Sequence, residues 1–472
     1  MTLPPGFRVR LADGVIRADG GRLLVGGSPL IAMRLTERAA ALLGPEGVTV
    51  TEPAGAHLAE RLVASNLGLP DLSGVEGVAP DELTVVIPVR DRSAQLDRAL
   101  AALRPLRCVV VDDASQDPHR VADVARRHGA PVVALSVNVG PAGARNAGLA
   151  TVATPYVAFV DSDVEVTAAD LVRLTRHFAD PAVGLVGPQV TGVARSARPR
   201  WFERYDAAAS SLTLGDRPGV VRPGAAVAWL PSACLVGRTD VLGGGFDATL
   251  RVGEDVDPVW RLVDSGARVR YDPSVRAHHD ARHTLGGWLS RKAFYGSGGA
   301  SLATRHGDRL APAVLTPTYA VAGAALLLRR RWSAPVAAVA LAHGWRSVRA
   351  SLPAGDGTDA VAAQLAARGL GWAVRQESAL LLRHWWPLAA LGATRSRHVR
   401  RALVTALAVD AAVMVVEHRR SGSPPDPATA FAGRRLDDLA YGAGLWWGAL
   451  RARSARVLLP RRPCKRRSED SA

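Results

Sequence analysis

Cysteine is scarce in this chain of 472 residues: Cys108, Cys234 and Cys464 are the only three, and they lie far apart. That excludes a disulfide scaffold and any Cys-based zinc site, and it fits a reducing compartment. Lysine is scarcer still. Lys292 and Lys465 stand alone among 59 cationic side chains, so nearly every positive charge is an arginine. Such a skew, beside abundant Ala, Val and Gly, resembles GC-rich coding as much as selection for phosphate contacts. The start, MTLPPGFRVR, has no apolar stretch behind its charges, so no secretory signal is expected. No internal repeat is present. Hydrophobic residues at 48% and charged residues at 22% exclude global disorder and a collagen-like fibre.

The formal net charge is +16, but it is not spread evenly. Residues 1–310 hold 35 basic against 33 acidic side chains, whereas residues 311–472 hold 24 against 10, a net of +14. A localised excess argues for a local partner surface and against nucleic acid as the general partner.

The length suggests two to four domains. Phe7–Arg10, Val15–Ala18 and Arg22–Val25 read as short strands, the first two joined by an Asp13-Gly14 turn. Leu30–Leu43 has apolar residues at helical spacing, and His57–Asn66 is a second helix candidate. Asp71–Pro80 (DLSGVEGVAP) is a linker. From Leu83 the pattern becomes short apolar strands alternating with helices: TVVIPV (84–89), CVVVDD (108–113), PVVALSV (131–137) and YVAFVD (156–161). Val/Ile runs without polar alternation predict burial on both faces, hence an α/β fold with a parallel-rich sheet. Ligands bind at the carboxyl ends of such strands, where Asp112, Asp113, Asp161 and Asp163 all fall.

Six segments occur in fixed order over about 200 residues: TVVIPVRDR, VVVDDAS (109–115), VNVGPAGARNAGL (137–149), FVDSDV (159–164), GGFDATLRVGEDVDPVWRLVDSG (244–266) and VRAHH (275–279). Together they resemble the family 2 glycosyltransferases of GT-A fold. Their DDxS, N-x-G-x-x-x-A-R-N-x-G, DxD and GGFDE…EDxD motifs match these residues in turn. The resemblance implies a nucleotide-sugar pocket formed by Pro88, Arg90, Asp91, Asp112, Asp113, Arg145, Asn146 and Asp161. It implies a divalent cation, Mg²⁺ or Mn²⁺, held by Asp163 with Asp161 and completed by His278 or His279. It also makes Asp255 the base that deprotonates an acceptor hydroxyl, with Glu254 adjacent.

Elementary chemistry is consistent with these roles. A departing diphosphate carries negative charge that a cation neutralises, and carboxylate oxygens suit a hard ion. Simpler readings stand beside them. Asp112 and Asp113 can cap a helix with Ser115, Arg145 can be a buried partner of a carboxylate, and Asp257 with Arg261 fits an i,i+4 ion pair. Trp201, Trp229 and Trp260 can stack on sugar rings or pack in the core. The QxxRW motif of processive synthases is absent, which argues against a cellulose- or chitin-synthase type of enzyme.

The N-terminal segment, together with WLSRKAFYGSGGASLATRHGDRLAP (288–312), narrows the resemblance to the glycosyltransferases of mycofactocin biosynthesis. It implies transfer of glucose from UDP-glucose, through β-1,4 linkages, onto premycofactocin, a peptide-derived redox cofactor of actinobacteria. Three domains are expected: 1–80, a small strand and helix module similar to PqqD-like peptide-recognition domains; 81–310, the GT-A domain; and 311–472, a basic helical region. In that region Leu310–Leu328 carries no charge and is followed by Arg329–Arg331, but Pro312 and Pro317 interrupt it. Buried helices over the acceptor, interfacial attachment to the cytoplasmic face of the membrane, and a true span all remain open. So do two other functions: a membrane-surface transferase acting on a lipid-linked or cell-envelope acceptor, and a non-catalytic peptide-binding scaffold. The closing RRPCKRRSEDSA reads as a mobile basic tail.

Overall fold

Val- and Ile-rich segments build a nine-stranded sheet that organises the first of two units, residues 1–282 and 283–472. The computed structural model describes residues 2–250, 252–420 and 425–463. Most of the basic tail, with Cys464, lies outside the described residues, as does Arg251 of the acceptor segment.

The chain begins with β1 (Arg8–Leu11), β2 (Ile16–Ala18), β3 (Leu23–Gly26), β4 (Ile31–Arg34), α1 (Glu37–Leu42), β5 (Val48–Thr49), α2 (Pro53–Ala64) and β6 (Gly68–Asp71). Two expectations fail here. β1 and β2 do not pair across Asp13-Gly14: β1 lies between β5 and β6, while β2 joins β3 and β4 in a separate sheet. Nor is Leu30–Leu43 one helix. Its first part is β4, where Met33 is buried and Ala32 and Arg34 are exposed, the period of two of a strand. Only after Thr36, whose Oγ1 accepts from Ala39 N at 3.2 Å, does a helix start.

This module is fastened to the rest of the first unit. Asn66, in a left-handed conformation, donates from Nδ2 to the carbonyls of Ser28 (2.9 Å) and Val220 (3.1 Å), and its Oδ1 accepts from Val220 N at 2.6 Å. The linker after β6 is pinned too, with Val78 N donating to Thr175 Oγ1 at 2.9 Å.

The large sheet then forms from β7 (Leu83–Val89), β8 (Arg107–Asp112), β9 (Val132–Ala134), β10 (Tyr156–Val160), β11 (Val164–Glu165), β12 (Val183–Val193), β13 (Gly219–Val221), β14 (Cys234–Arg238) and β15 (Arg268–Asp280). Its order is β11-β15-β12-β14-β10-β7-β8-β9, with β13 added on β15. The four strands β10, β7, β8 and β9 are parallel, as the apolar runs predict. β7 is buried along its whole length. β9 is shorter than its sequence signal and partly exposed because it is the edge strand, its ladder ending where Asp112 pairs with Ala134. Helices α3 (Ser93–Ala102), α4 (Pro118–Arg127), α5 (Gly140–Leu149), α6 (Ala168–Thr175), α7 (Trp201–Ala208) and α8 (Val256–Asp264) complete the unit.

The second unit is helical: α9 (Leu285–Ser297), α10 (Gly299–His306), α11 (Pro317–Leu328), α12 (Ser333–Ser351), α13 (Thr358–Ala379), α14 (Trp386–Arg395), α15 (Arg397–Arg420) and α16 (Pro427–Arg451). The uncharged stretch 310–328 becomes helical only at Pro317. The 12 residues of α11 are about 18 Å long, against a hydrocarbon core of about 30 Å. No helix among the described residues is long and apolar enough to cross a membrane.

Candidate active site

Parallel pairing of β10, β7 and β8 brings three strand ends to one edge. Pro88 is buried in β7 beside Val111. The chain then leaves the sheet through exposed Arg90 and through Asp91, which has a φ of 57°. Asp91 Oδ1 accepts from Gln116 N at 2.6 Å, and Asp91 N donates to Ser115 Oγ at 3.0 Å. Asp112 and Asp113 are buried. Asp112 Oδ1 accepts from Ser115 N at 3.0 Å, while Asp113 takes the amides of Val139 (2.7 Å) and Gly140 (3.0 Å) at the start of α5. The pair thus sews together the loops that follow β8 and precede α5. Both side chains cap loop amides at the carboxyl end of β8.

The carboxylates around Ser162 go separate ways. Asp161 Oδ1 accepts from Arg145 Nη2 at 2.5 Å. Arg145 is only 1% exposed, and its Nε and Nη1 have no partner among the described residues. A buried guanidinium with unused donors suits an anion at this edge. Asp163 is bonded by Arg92, and its Oδ2 lies 3.6 Å from His279 Nε2. Burial alone would raise the Asp163 carboxyl, but His279, Arg92 and Arg282 outweigh it and hold the group below its ordinary value.

Two distant motifs meet because β11, directly after the DxD, pairs antiparallel with β15: Val164 lies opposite His279 and Glu165 opposite His278. Neighbouring residues on a strand face opposite sides. His279 accordingly reaches Asp163, while His278 Nδ1 sits 3.1 Å from Thr191 Oγ1, away from the pair. Asp163 and His279 together offer one carboxylate oxygen and one imidazole nitrogen converging on a point. Those donor types suit Mg²⁺ or Mn²⁺, although the same Asp163 oxygen is also bonded by Arg92. Asp161 is engaged by Arg145 instead. Among the described residues, no group of three or more His, Cys, Asp or Glu is arranged to hold a metal by itself.

On the other side, Asp255 caps α8, its Oδ1 accepting from Val256 N at 3.0 Å. Part of its surface is open to solvent, yet desolvation of the carboxyl and repulsion from Glu254 push it up to about 7, against a smaller opposing pull from Arg145. Asp257 and Arg261 form the i,i+4 ion pair at 2.8 Å. Trp260 is buried, with Nε1 donating to Ala228 O at 2.7 Å, so it serves the core. Asn146 does not reach toward Asp161. Its Nδ2 donates to Phe246 O at 2.7 Å, and its Oδ1 accepts from Phe246 N at 2.8 Å.

Sequence reasoning missed three contributors. Arg92 engages Asp163 from the start of α3. Phe246 packs edge-on to Phe159 at 5.0 Å and lies under the Arg145 guanidinium at 5.4 Å. Glu165, Asp280, Arg98 and Arg195 form an ion network that ties β11 to β15 and so holds Asp163 near His279. Only the GGFD segment offered a signal, in the aromatic of its third position.

The chain is similar to known glycosyltransferases. Residues 84–219 match the model of glycosyl transferase family 2. The chain is 38% identical, over 97% of its length and 98% of the relative's, to the pre-mycofactocin glycosyltransferase of Mycobacterium tuberculosis (strain ATCC 25618 / H37Rv). An uncharacterized glycosyltransferase of Mycobacterium bovis is 36% identical over 30% of this chain and 62% of its own. Among solved structures, a mannosyltransferase from Pyrobaculum calidifontis, in complex with GDP-Man and Mn²⁺, aligns at 18% identity with a TM-score of 0.42. That alignment covers 80% of this chain and 91% of the other. The sheet is the GT-A sheet of family 2, and the chain belongs to the pre-mycofactocin glycosyltransferase family.

Proposed function

We propose that this glycosyltransferase moves glucose from UDP-glucose, with inversion, onto the peptide-derived cofactor premycofactocin, extending it through β-1,4 linkages. The observation that carries the mechanism is the position of Arg145. One buried guanidinium is bonded to Asp161 at the donor edge and acts by its charge on Asp255 at the acceptor edge. A base and a leaving-group site that both feel one buried charge suit single displacement.

In this reading Asp255 takes the proton of an acceptor hydroxyl, whose oxygen bonds to the anomeric carbon as the bond from that carbon to the diphosphate oxygen breaks. The raised carboxyl supports the role, because a base titrating near neutrality both accepts the proton and is ionised at working pH. The unpartnered donors of Arg145 face the diphosphate. Asp112, Asp113 and Asp91 shape the pocket for base and ribose. Asp163 and His279 would hold a divalent cation, which would supply charge neutralisation for the departing UDP. Residues 1–80 are proposed to recognise the peptide-derived part of the acceptor, and the basic second unit to rest on the cytoplasmic membrane surface.

The experiment is mass spectrometry of products from the full chain, UDP-glucose and Mn²⁺, offered premycofactocin or polyprenyl phosphate. Hexose on the peptide-derived acceptor is expected. Incorporation only into lipid overturns the acceptor. If UDP with Mn²⁺ gives no thermal shift, and Asp163→Ala leaves that unchanged, a non-catalytic scaffold is the better description.

A further inference from the structure

We infer that Asn146 is a positioning residue: it holds the loop 244–250, and through it the Glu254–Asp255 pair, against the donor-edge helix α5, and it does not bind the nucleotide sugar. The two hydrogen bonds between its amide and the backbone of Phe246, at 2.7 and 2.8 Å, use the side chain as if it were one rung of a sheet. Both partners on the backbone are donor and acceptor of the same residue, so the contact fixes the direction of the loop as well as its position. Phe246 is 5% exposed, so neither its N–H nor its C=O has water as a ready substitute.

The loop is shaped for this approach. Gly245 has a φ of 51°, and a Cβ there would come within 2.4 Å of Asn146 Oδ1. The Phe246 ring presses on Phe159 of β10, two residues before Asp161. From the other side Arg261 Nη2 donates to Gly245 O at 2.5 Å while its Nε pairs with Asp257 on α8. Thus the segment between Asn146 and Arg261 spans the distance from the donor edge to the helix that Asp255 caps. Arg145, one residue before Asn146, engages Asp161 and covers the Phe246 ring. One turn of α5 therefore addresses both substrates: Arg145 the donor edge and Asn146 the acceptor loop. An acceptor hydroxyl misplaced by about 1 Å loses on the order of 100-fold in rate.

The inference rests on the transfer reading above, and its test separates the two. In Asn146→Ala, kcat for transfer is expected to fall about 100-fold, while UDP affinity with Mn²⁺ and the KM for UDP-glucose stay within about twofold. Asn146→Asp keeps the acceptor for Phe246 N but loses the donor to Phe246 O, and should fall in between. Gly245→Ala should reproduce the loss, and the double variant should be no worse than either single one. Hydrogen exchange at the Phe246 amide should quicken in Asn146→Ala while exchange in β7 and β8 is unchanged. Loss of UDP affinity in parallel with kcat would show a nucleotide contact and overturn the inference. Unchanged kcat with unchanged Phe246 exchange would overturn it equally. If the wild-type chain transfers no sugar, the functional reading fails by itself, and the exchange measurement still decides whether Asn146 holds the loop.

Discussion

Asp255 is placed where two demands meet. In the proposed mechanism it must be ionised to act as base, whereas its surroundings favour the protonated form, through burial and the neighbouring Glu254. Activity should therefore rise with pH through about 7, measured as kcat/KM at fixed metal and donor. Replacement by Asn should lower kcat by about 10²- to 10⁴-fold and leave UDP binding intact. The same environment sets a stability trend. The folded-state value lies above the ordinary value of 3.8, so the folded protein holds this proton more firmly than the unfolded chain. Its contribution is fully present at low pH and is lost as pH rises through about 7. Asp255→Asn should thus be more stable than the wild type at about pH 8 by thermal melting, although inactive. A variant that is both inactive and less stable at that pH would remove Asp255 as a strained base and make it a simple helix cap.

Among the helices of the second unit, a comparable situation has no catalytic explanation. Glu377 of α13 is 9% exposed, its Oε2 has no partner among the described residues, and it faces Gly323 of α11, where a Cβ would come within 2.7 Å of that oxygen. Burial pushes its carboxyl up to about 8. The sign is the same as for Asp255: stability declines as pH climbs from the ordinary 4.5 toward 8, by at most about 1.4 kcal/mol per pH unit. Glu377→Gln should flatten that decline and melt later than the wild type at about pH 8; an unchanged slope would mean the carboxyl is solvated. Such a feature is illegible in sequence, because QES in a helix reads as a polar face. The sheet was legible, since apolar runs such as TVVIPV and CVVVD, without polar alternation, fit strands covered on both faces. The site was legible as motifs, yet not as contacts. Nothing in VRAHH says which His faces the DxD until β11 pairs with β15. Likewise ARNAG does not reveal that Asn146 turns to a loop 100 residues away. The failures cluster where local signals compete. IAMRL fits a helix or a strand equally over five residues, and only pairing with β3 decides it.

Charge divides as the structure does. Residues 1–282 hold 31 basic and 32 acidic side chains, and residues 283–472 hold 28 and 11, so the helical unit carries the whole excess. In the second unit that excess includes a cluster at the turn between α11 and α12 and the start of α15. Arg330 Nη2 lies 2.7 Å from His398 Nδ1, and Arg330, Arg397 and Arg401 together hold the imidazole below its ordinary value. None of these three arginines has a carboxylate partner among the described residues. Trp332 in that turn and Val404 on α15 are exposed, as are Leu388 and Leu391 on α14. A polyanion in solution calls for the arginines alone. Arginine beside exposed Trp and Leu is the composition that suits an anionic lipid surface, where each cation contributes about 1 kcal/mol and the apolar side chains enter the headgroup layer. The full chain should therefore cosediment with vesicles containing phosphatidylglycerol at low salt and not with pure phosphatidylcholine. Raising salt from about 0.05 to 0.5 M shortens the Debye length several-fold and should release it. Arg397→Glu with Arg401→Glu should weaken vesicle binding at least about 30-fold, as loss of two cations at about 1 kcal/mol each implies, and leave transfer to a soluble acceptor unchanged. Absence of cosedimentation at low salt would sink the membrane proposal. Binding that survives high salt would mean that the exposed Trp and Leu, rather than the arginines, hold the protein there.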